Sequence, residues 1–226
     1  MEVTYFGHSC FSVRTGGKSI LFDPFISPNP LAAAIDVDSL KPDYMLISHG
    51  HADHIADAVR ICNNSNCKAV GIWEVATWLE KQGVGQTHPM NIGGKWTFDF
   101  GTVQMVQAVH SSSLPDGSNG GNAAGFVVQN EKDCFYYAGD TALFSDMAYV
   151  GRNYYPKVGF MPIGSNFTMD MYDAAEAAVL SNCREVIGMH YDTFGYIVIN
   201  HEEAVRVFKS RGITLHLMQI GETREF

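Results

Sequence analysis

The stretch Ser48-His49-Gly50-His51-Ala52-Asp53-His54 places three imidazoles and a carboxylate directly after the apolar run Tyr44-Met45-Leu46-Ile47. Such a run reads as a strand, and a strand that ends in a polar cluster delivers its side chains at the edge of a sheet. His49 and His51 are two apart, so in extended backbone they face the same way. Asp53 and His54 follow at the turn into a helical stretch at 55–61. That spacing suits two metal ions side by side, His49 and His51 on one and Asp53 and His54 on the other. The plainer reading is a helix start capped by Ser or Asp, and Asp53 is free to cap as well. A cap needs no histidine, however, and three of the chain's nine fall here, within six of its 226 residues. The cluster reads as a metal centre.

Four further apolar runs each close on one residue of ligand type: Leu21-Phe22-Asp23, Val106-Gln107-Ala108-Val109-His110, Tyr136-Tyr137-Ala138-Gly139-Asp140 and Val186-Ile187-Gly188-Met189-His190. The His-x-His-x-Asp-His pattern together with these four, in this order, resembles the five-motif signature of the metallo-β-lactamase superfamily. The resemblance covers nearly the whole chain. It implies an α/β fold, a four-layer αββα sandwich of two sheets face to face with helices outside both, in one hydrolase domain spanning 1–226. It also implies a ligand set: His49, His51 and His110 on one metal, Asp53, His54 and His190 on the other, and Asp140 between them.

Two divalent ions roughly 3.5–4 Å apart share a water and hold it as hydroxide, because a metal lowers the pKa of water to about 7. That hydroxide is the nucleophile, the second metal polarises the substrate oxygen, and no side chain has to attack. Zinc is the default for a His-rich site, and manganese or iron tolerates the same donors. Asp23, by its place in the motif order, holds a ligand histidine from behind. His8 lies in Gly7-His8-Ser9-Cys10-Phe11, which is similar to the opening of a subgroup of metal-dependent hydrolases that includes L-ascorbate-6-phosphate lactonase. It is either a turn residue or one that meets substrate or moves a proton. Asp53, His8 and Asp23 form the candidate catalytic set beyond pure ligation. The segment 162–169 also resembles that subgroup, in which this loop lies near the metals. His88, His201 and His216 read as surface or packing residues.

Outward from the motifs, segments 2–6, 10–14 and 19–22, joined by glycine turns, form an antiparallel meander. A proline-rich loop follows, with a helical turn at 31–34. A strand at 68–72, a helix at 74–81 stopped by Gly83, and a hairpin of 96–100 with 102–106 come next. The polar, glycine-rich stretch 111–122 begins beside a proposed ligand and reads as a mobile rim, which with 24–30 encloses the substrate. The second half repeats the layout: strands at 124–128, 134–137 and 158–162, helices at 145–149 and 171–180, the latter capped by Asp170. Asn200-His201-Glu202-Glu203 is a capping-box-like start for a helix at 204–209. A strand at 214–220 closes the chain.

Glycine makes up 22 of 226 residues, about 10%, above the ~7% average, and charged residues at 17% fall below the ~25% norm, so tight turns and a large core are expected. The net charge of −9 disfavours nucleic acid and anionic membrane, both held mainly by Lys and Arg. The five cysteines are odd in number; Cys62 and Cys67 lack the second pair a metal knuckle needs, and Cys10, Cys134 and Cys183 read as buried thiols. With no signal-peptide pattern and no apolar run of the ~20 residues that span a bilayer, the expectation is a reduced, cytoplasmic protein. A homo-oligomer is left open.

The expected function is metal-dependent hydrolysis of a small ester, lactone or phosphodiester, tilted by the lactonase resemblance toward a cyclic or phosphorylated carboxylic ester. A flavodiiron-type oxidoreductase would carry Glu in place of His51. The alternatives are a mononuclear iron persulfide dioxygenase, which shares much of the His cluster, and a metal-dependent nuclease, for which the chain has neither a cap domain nor a basic arm.

Overall fold

Three short apolar segments, β1 (Glu2–Gly7), β2 (Cys10–Thr15) and β3 (Lys18–Phe22), pair antiparallel in the computed structural model, which describes residues 1–226. From β3 onward the connections cross over and the pairing turns parallel through β4 (Tyr44–Leu46), β5 (Lys68–Ile72) and β6 (Thr87–Met90). The second sheet repeats this plan. Antiparallel β7 (Lys95–Phe98), β8 (Gly101–Gln107), β9 (Ala124–Gln129) and β10 (Cys134–Tyr137) lead into parallel β11 (Val158–Pro162), β12 (Glu185–Met189) and β13 (Thr214–His216). A last strand, β14 (Thr223–Glu225), leaves the second sheet and pairs antiparallel with β1, giving seven strands to each sheet.

The period-two alternation of a strand sorts side chains between two cores. In β10, Phe135 and Tyr137 enter the core between the sheets, while Cys134 and Tyr136 face the other way, toward helices. In β12, Ile187 and Met189 join the first core and Val186 the second. Helices α1 (Ala52–Ile55), α2 (Ala58–Ser65) and α3 (Trp73–Lys81) follow strands of the first sheet, with α3 packed on β5 and β6. Helices α4 (Met147–Tyr154), α5 (Met171–Leu180) and α6 (His201–Ser210) cover the outer face of the second. This is the expected αββα sandwich.

The caps behave as read: Asp170 accepts from the amides of Tyr172 and Asp173, and Asn200 from that of Glu203. Four readings differ. The helix expected at 55–61 is broken at Asp57, whose carboxylate accepts from the amides of Ile26 and Ser27 at 2.7 and 2.8 Å and so belongs to the neighbouring loop. The helix expected at 145–149 begins and ends later, as α4. The helical turn expected at 31–34 is a 3-10 turn over Pro30–Ala32. The strand expected at 214–220 stops at His216, because Gly221, with φ +86°, reverses the chain onto Tyr5 of the first sheet.

Gly164, just past β11, packs so closely on the end of β12 that a Cβ there would overlap the carbonyl oxygen of His190. Gly164→Ala should therefore push these strand ends apart and destabilise the fold by about 2 kcal/mol or more, measured by urea unfolding. A change within about 0.5 kcal/mol, ordinary for an uninvolved surface position, would contradict this packing.

Candidate metal centre

Every candidate side chain is delivered just past the C-terminal end of a strand: His8 after β1, Asp23 after β3, His49 to His54 after β4, His110 after β8, Asp140 after β10 and His190 after β12. Three of these, His8, Asp23 and His190, lie in the left-handed region with φ of 55°, 41° and 56°. Such a backbone costs an L-residue roughly 1–2 kcal/mol and persists where the surroundings over-determine it. Here the His190 amide donates to the His8 carbonyl at 3.0 Å and the Asp23 amide to the Leu46 carbonyl at 3.2 Å. The first bond joins the two sheets at the site.

Behind the cluster, Asp23 is fully buried and its carboxylate accepts from the Ser48 amide at 2.7 Å, the Ser48 hydroxyl at 2.5 Å and His54 Nδ1 at 2.8 Å. The Tyr137 hydroxyl, 2.8 Å from both Asp23 Oδ2 and the Ser9 carbonyl, has one hydrogen to share between them. These bonds assign tautomers. His54 spends its Nδ1 hydrogen on Asp23, so Nε2 faces the cluster. Ser48 has given its hydrogen to Asp23, so its oxygen, 2.9 Å from His49 Nδ1, accepts there and leaves His49 Nε2 as a lone pair.

The donors fall into two groups. His49, His51 and His110 bring one ring nitrogen each within 4.8 Å of one another. His8, Asp53, His54 and His190 likewise converge, three through a nitrogen and Asp53 through a carboxylate oxygen, and behind both Asp23 converges with His49 and His54. His49 Nε2 and His51 Nδ1 are 3.0 Å apart; a cation shared by both needs both as lone pairs, which puts the His51 hydrogen on Nε2, 3.2 Å from Ser111 Oγ. Asp140 lies between the groups. Its Oδ2 is 3.2 Å from His54 Nε2, 3.0 Å from His190 Nε2 and 3.6 Å from His110 Nε2. Yet His54 Nε2 and Asp140 Oδ1 are buried with no hydrogen-bond partner, as is His190 Nδ1. The first two, an imidazole nitrogen and a carboxylate oxygen left unbonded within the donor cluster, fit a divalent cation.

The electrostatics divide the same way. Burial holds His49, His51 and His110 below the usual imidazole range, His49 farthest. Burial also opposes charge on His54 and His190, but Asp140 and Asp53 outweigh it, raising His54 well above that range and lifting His190 to about 9. Burial would raise the two carboxyls, yet His54 and His190 hold both far below the usual carboxylate range. A cation entering here displaces protons that Asp53 and Asp140 keep on His54 and His190, so binding and proton release are linked.

His8 is buried, and burial pushes it down to about 4. Its Nε2 is 3.1 Å from Asp53 Oδ2 and its Nδ1 3.0 Å from Thr193 Oγ1. Both nitrogens are therefore engaged, and the residue is more than a turn.

The cluster opens into a cavity of about 730 Å³, within the range of small-ligand pockets. The expected rim does not enclose it. From 111–122 only Ser111 reaches the wall, and from 24–30 nothing does; the other walls are Phe167 and the segment Thr193 to Tyr196. The stretch 111–122 is tied down instead, by a bridge between Ser113 and Asn119 and by Trp78 Nε1 donating to Asp116 at 2.9 Å. A separate cavity of about 440 Å³ between β8 and α4 has no histidine in its wall, so the chemistry lies at the first.

All nine expected site residues converge. His88, His201 and His216 stay outside, against Trp96, Asp192 and Glu185 respectively. Ser48, Tyr137, Thr193, Phe194 and Tyr196 were not anticipated. Only Ser48, adjacent to the cluster, carried a signal in sequence.

Residues 18–191 match the family model described as Beta-lactamase superfamily domain. A UPF0173 metal-dependent hydrolase of Methylacidiphilum infernorum is 49% identical over 223 residues, covering 99% of each chain. One of Flavobacterium johnsoniae is 47% identical over 225 residues, covering 100% of both. Among solved structures, Igni18, a metallo hydrolase from the hyperthermophilic archaeon Ignicoccus hospitalis, superposes with a TM-score of 0.89 at 36% identity, covering 100% of this chain and 98% of that one.

Asp23→Asn keeps the size but turns an amide NH₂ toward groups that are themselves donors. Loss of such an outer partner typically costs about 10–100-fold in metal affinity. That weakening is expected in a competition titration of zinc against a chromophoric chelator, with the far-ultraviolet circular dichroism unchanged. Wild-type affinity in this variant would mean that Asp23 does not orient the donors.

Proposed function

The chain belongs to the beta-lactamase superfamily, in the family of the metal-dependent hydrolases just described, and from that premise we propose that it hydrolyses a small ester, lactone or phosphodiester at a pair of divalent cations. The observation that carries this reading is Asp140, one carboxylate oxygen within 3.0–3.6 Å of three imidazole nitrogens from both donor groups and the other buried and unbonded. Two groups of donors with a carboxylate between them favour two cations over the single iron of a dioxygenase.

His49, His51 and His110 would hold one cation, Asp53, His54 and His190 the other, and Asp140 both. Zinc suits this imidazole-rich set, and manganese or iron is compatible with it. When bound, the pair supplies a water acidified toward neutral pH and an electrophile for the substrate's carbonyl or phosphoryl oxygen. The protein's own contribution is placement. Asp23 fixes the His54 ring directly and the His49 ring through Ser48. His8 donates from Nε2 to Asp53 and is held in turn by Thr193, so it acts as a positioning residue rather than a proton carrier. The cavity walls, which include Phe167, Phe194 and Tyr196 beside the donors, confine the substrate there.

Surface and compartment agree with a small substrate. The net charge of −9 and the absence of Lys and Arg from the cavity wall offer nothing to a phosphate backbone. No helix is long and apolar enough to cross a membrane. All five cysteines are free and buried, which suits a reducing, cytoplasmic setting.

Asp140→Asn removes one negative charge from between two cations at nearly constant size. Hydrolysis should fall by about 100-fold or more with the fold intact, and an Asn variant with full activity and full metal content would exclude the bridging role. A panel of small lactones and chromogenic phosphodiesters, run against structured RNA and single-stranded DNA, tests the substrate class. Turnover is expected among the small molecules only; salt-sensitive cleavage of nucleic acid with every small ester untouched would refute it.

A further inference from the structure

We infer that Phe167 and Tyr196 are specificity-determining residues, an aromatic pair at the mouth of the cavity that receives an uncharged, apolar group of a carboxylic ester or lactone. The inference rests on the hydrolase reading above and selects among its substrates. Phe167 is 51% exposed and Tyr196 79% exposed, yet their rings meet edge to face, 6.1 Å between centroids and 78° between planes. Both stand in the cavity wall that also holds Asp53, Asp140 and His190.

Neither ring is left in water by a loose loop. Ser165 and Asn166 hold consecutive left-handed conformations, φ 65° and 58°, which turn the chain so that Phe167 projects outward. The turn is closed by Ser165 N donating to the Met169 carbonyl at 3.0 Å, and Met169 N donates at 3.1 Å to the carbonyl of Thr141, the residue after Asp140. Tyr196 lies in a 3-10 turn (Gly195–Ile197) closed by Asp192 N donating to the Ile197 carbonyl at 2.9 Å. The Asp192 carboxylate further accepts from the Ile199 amide at 3.1 Å and meets His201 Nε2 at 2.6 Å. Thr193, in the same segment, meets His8. The segments that carry the rings are thus fastened beside the centre, one by the backbone of Thr141 next to Asp140 and the other by the Thr193 hydroxyl at His8. Large apolar surface held in water next to a reactive cluster is covered favourably when a ligand's apolar surface lies on it.

Charge excludes the other half of the small-ester class. No Lys or Arg stands in the cavity wall, so a phosphate or carboxylate remote from the scissile bond would meet no cationic side chain there, only the hydroxyls of Ser111 and Thr193, ring edges and the acidic donors. The lactonase resemblance pointed toward a phosphorylated ester; the wall favours an aryl or alkyl one.

The test uses the full-length, zinc-loaded protein and three hydroxamates that share one chelating group: acetohydroxamate, 3-phenylpropanohydroxamate and the anionic 3-carboxypropanohydroxamate, titrated by calorimetry. The phenyl compound should bind roughly tenfold tighter than acetohydroxamate, and the carboxylate no tighter. Phe167→Ala and Tyr196→Ala should abolish the phenyl advantage while keeping acetohydroxamate affinity, which also reports that they fold; Tyr196→Phe should retain it. With γ-phenyl-γ-butyrolactone as substrate, the two alanine variants should raise KM and leave kcat near wild type. Equal binding of the phenyl and methyl compounds, or preference for the anionic one, overturns the inference and leaves the metal centre standing. If no hydroxamate binds at all, the metal reading fails and the inference falls with it.

Discussion

One buried carboxylate organises this molecule. Asp23 gathers the amide and hydroxyl of Ser48 from the loop that follows β4 and the ring of His54 from α1, and shares the hydroxyl of Tyr137 at the end of β10 in the opposite sheet. It is reached through a left-handed backbone at the end of β3, a conformation that the intrinsic preference of an L-residue disfavours. The cost is offset by donors that would otherwise be buried without acceptors, each worth roughly 1–3 kcal/mol if left unsatisfied. The same bonds set which nitrogen of His54 and which of His49 point forward. Fold and chemistry thus share one anchor.

In front of that anchor the balance of charge reverses. Burial keeps three imidazoles neutral, whereas Asp53 and Asp140 hold protons on His54 and His190. Either those protons or bound cations screen the two carboxylates from one another. This lets the two sheets close around a polar cluster of seven candidate ligands without a hydrophobic substitute. It also explains why the strained joint between His8 and His190 is worth keeping: it brings the end of β12 to the end of β1, and with it the only candidate ligand supplied by β12.

Much of this was legible in sequence because each ligand motif follows an apolar run, and a strand has a fixed period and a definite end. The order of five such ends, through its resemblance to the metallo-β-lactamase superfamily, implied the αββα architecture and the proposed donor set, with Asp23 behind it. What stayed hidden is long-range or aperiodic. The edge strand β6 reads Thr-His-Pro-Met, where a proline masks a strand signal. β14 exists only because β1 offers an edge for it to pair with. Asp57 looks like one more helical residue until the amides of Ile26 and Ser27 are seen to reach it. The cavity walls were legible only in part: the 162–169 segment was expected near the metals and its Phe167 does line the cavity, whereas Thr193 to Tyr196 follow the left-handed Asp192 and distant carbonyls, and 111–122, rich in glycine, is fastened by its own bridge and by Trp78.

The central claim is that two cations, not one and not none, occupy the space around Asp140. Elemental analysis of protein expressed and purified in metal-replete conditions, quantified against amino-acid content, tests it most directly. The account predicts about two transition-metal ions per chain, reduced on replacing His51 or His190 with alanine. A metal-free protein under those conditions, or one whose metal content survives both substitutions, would contradict it.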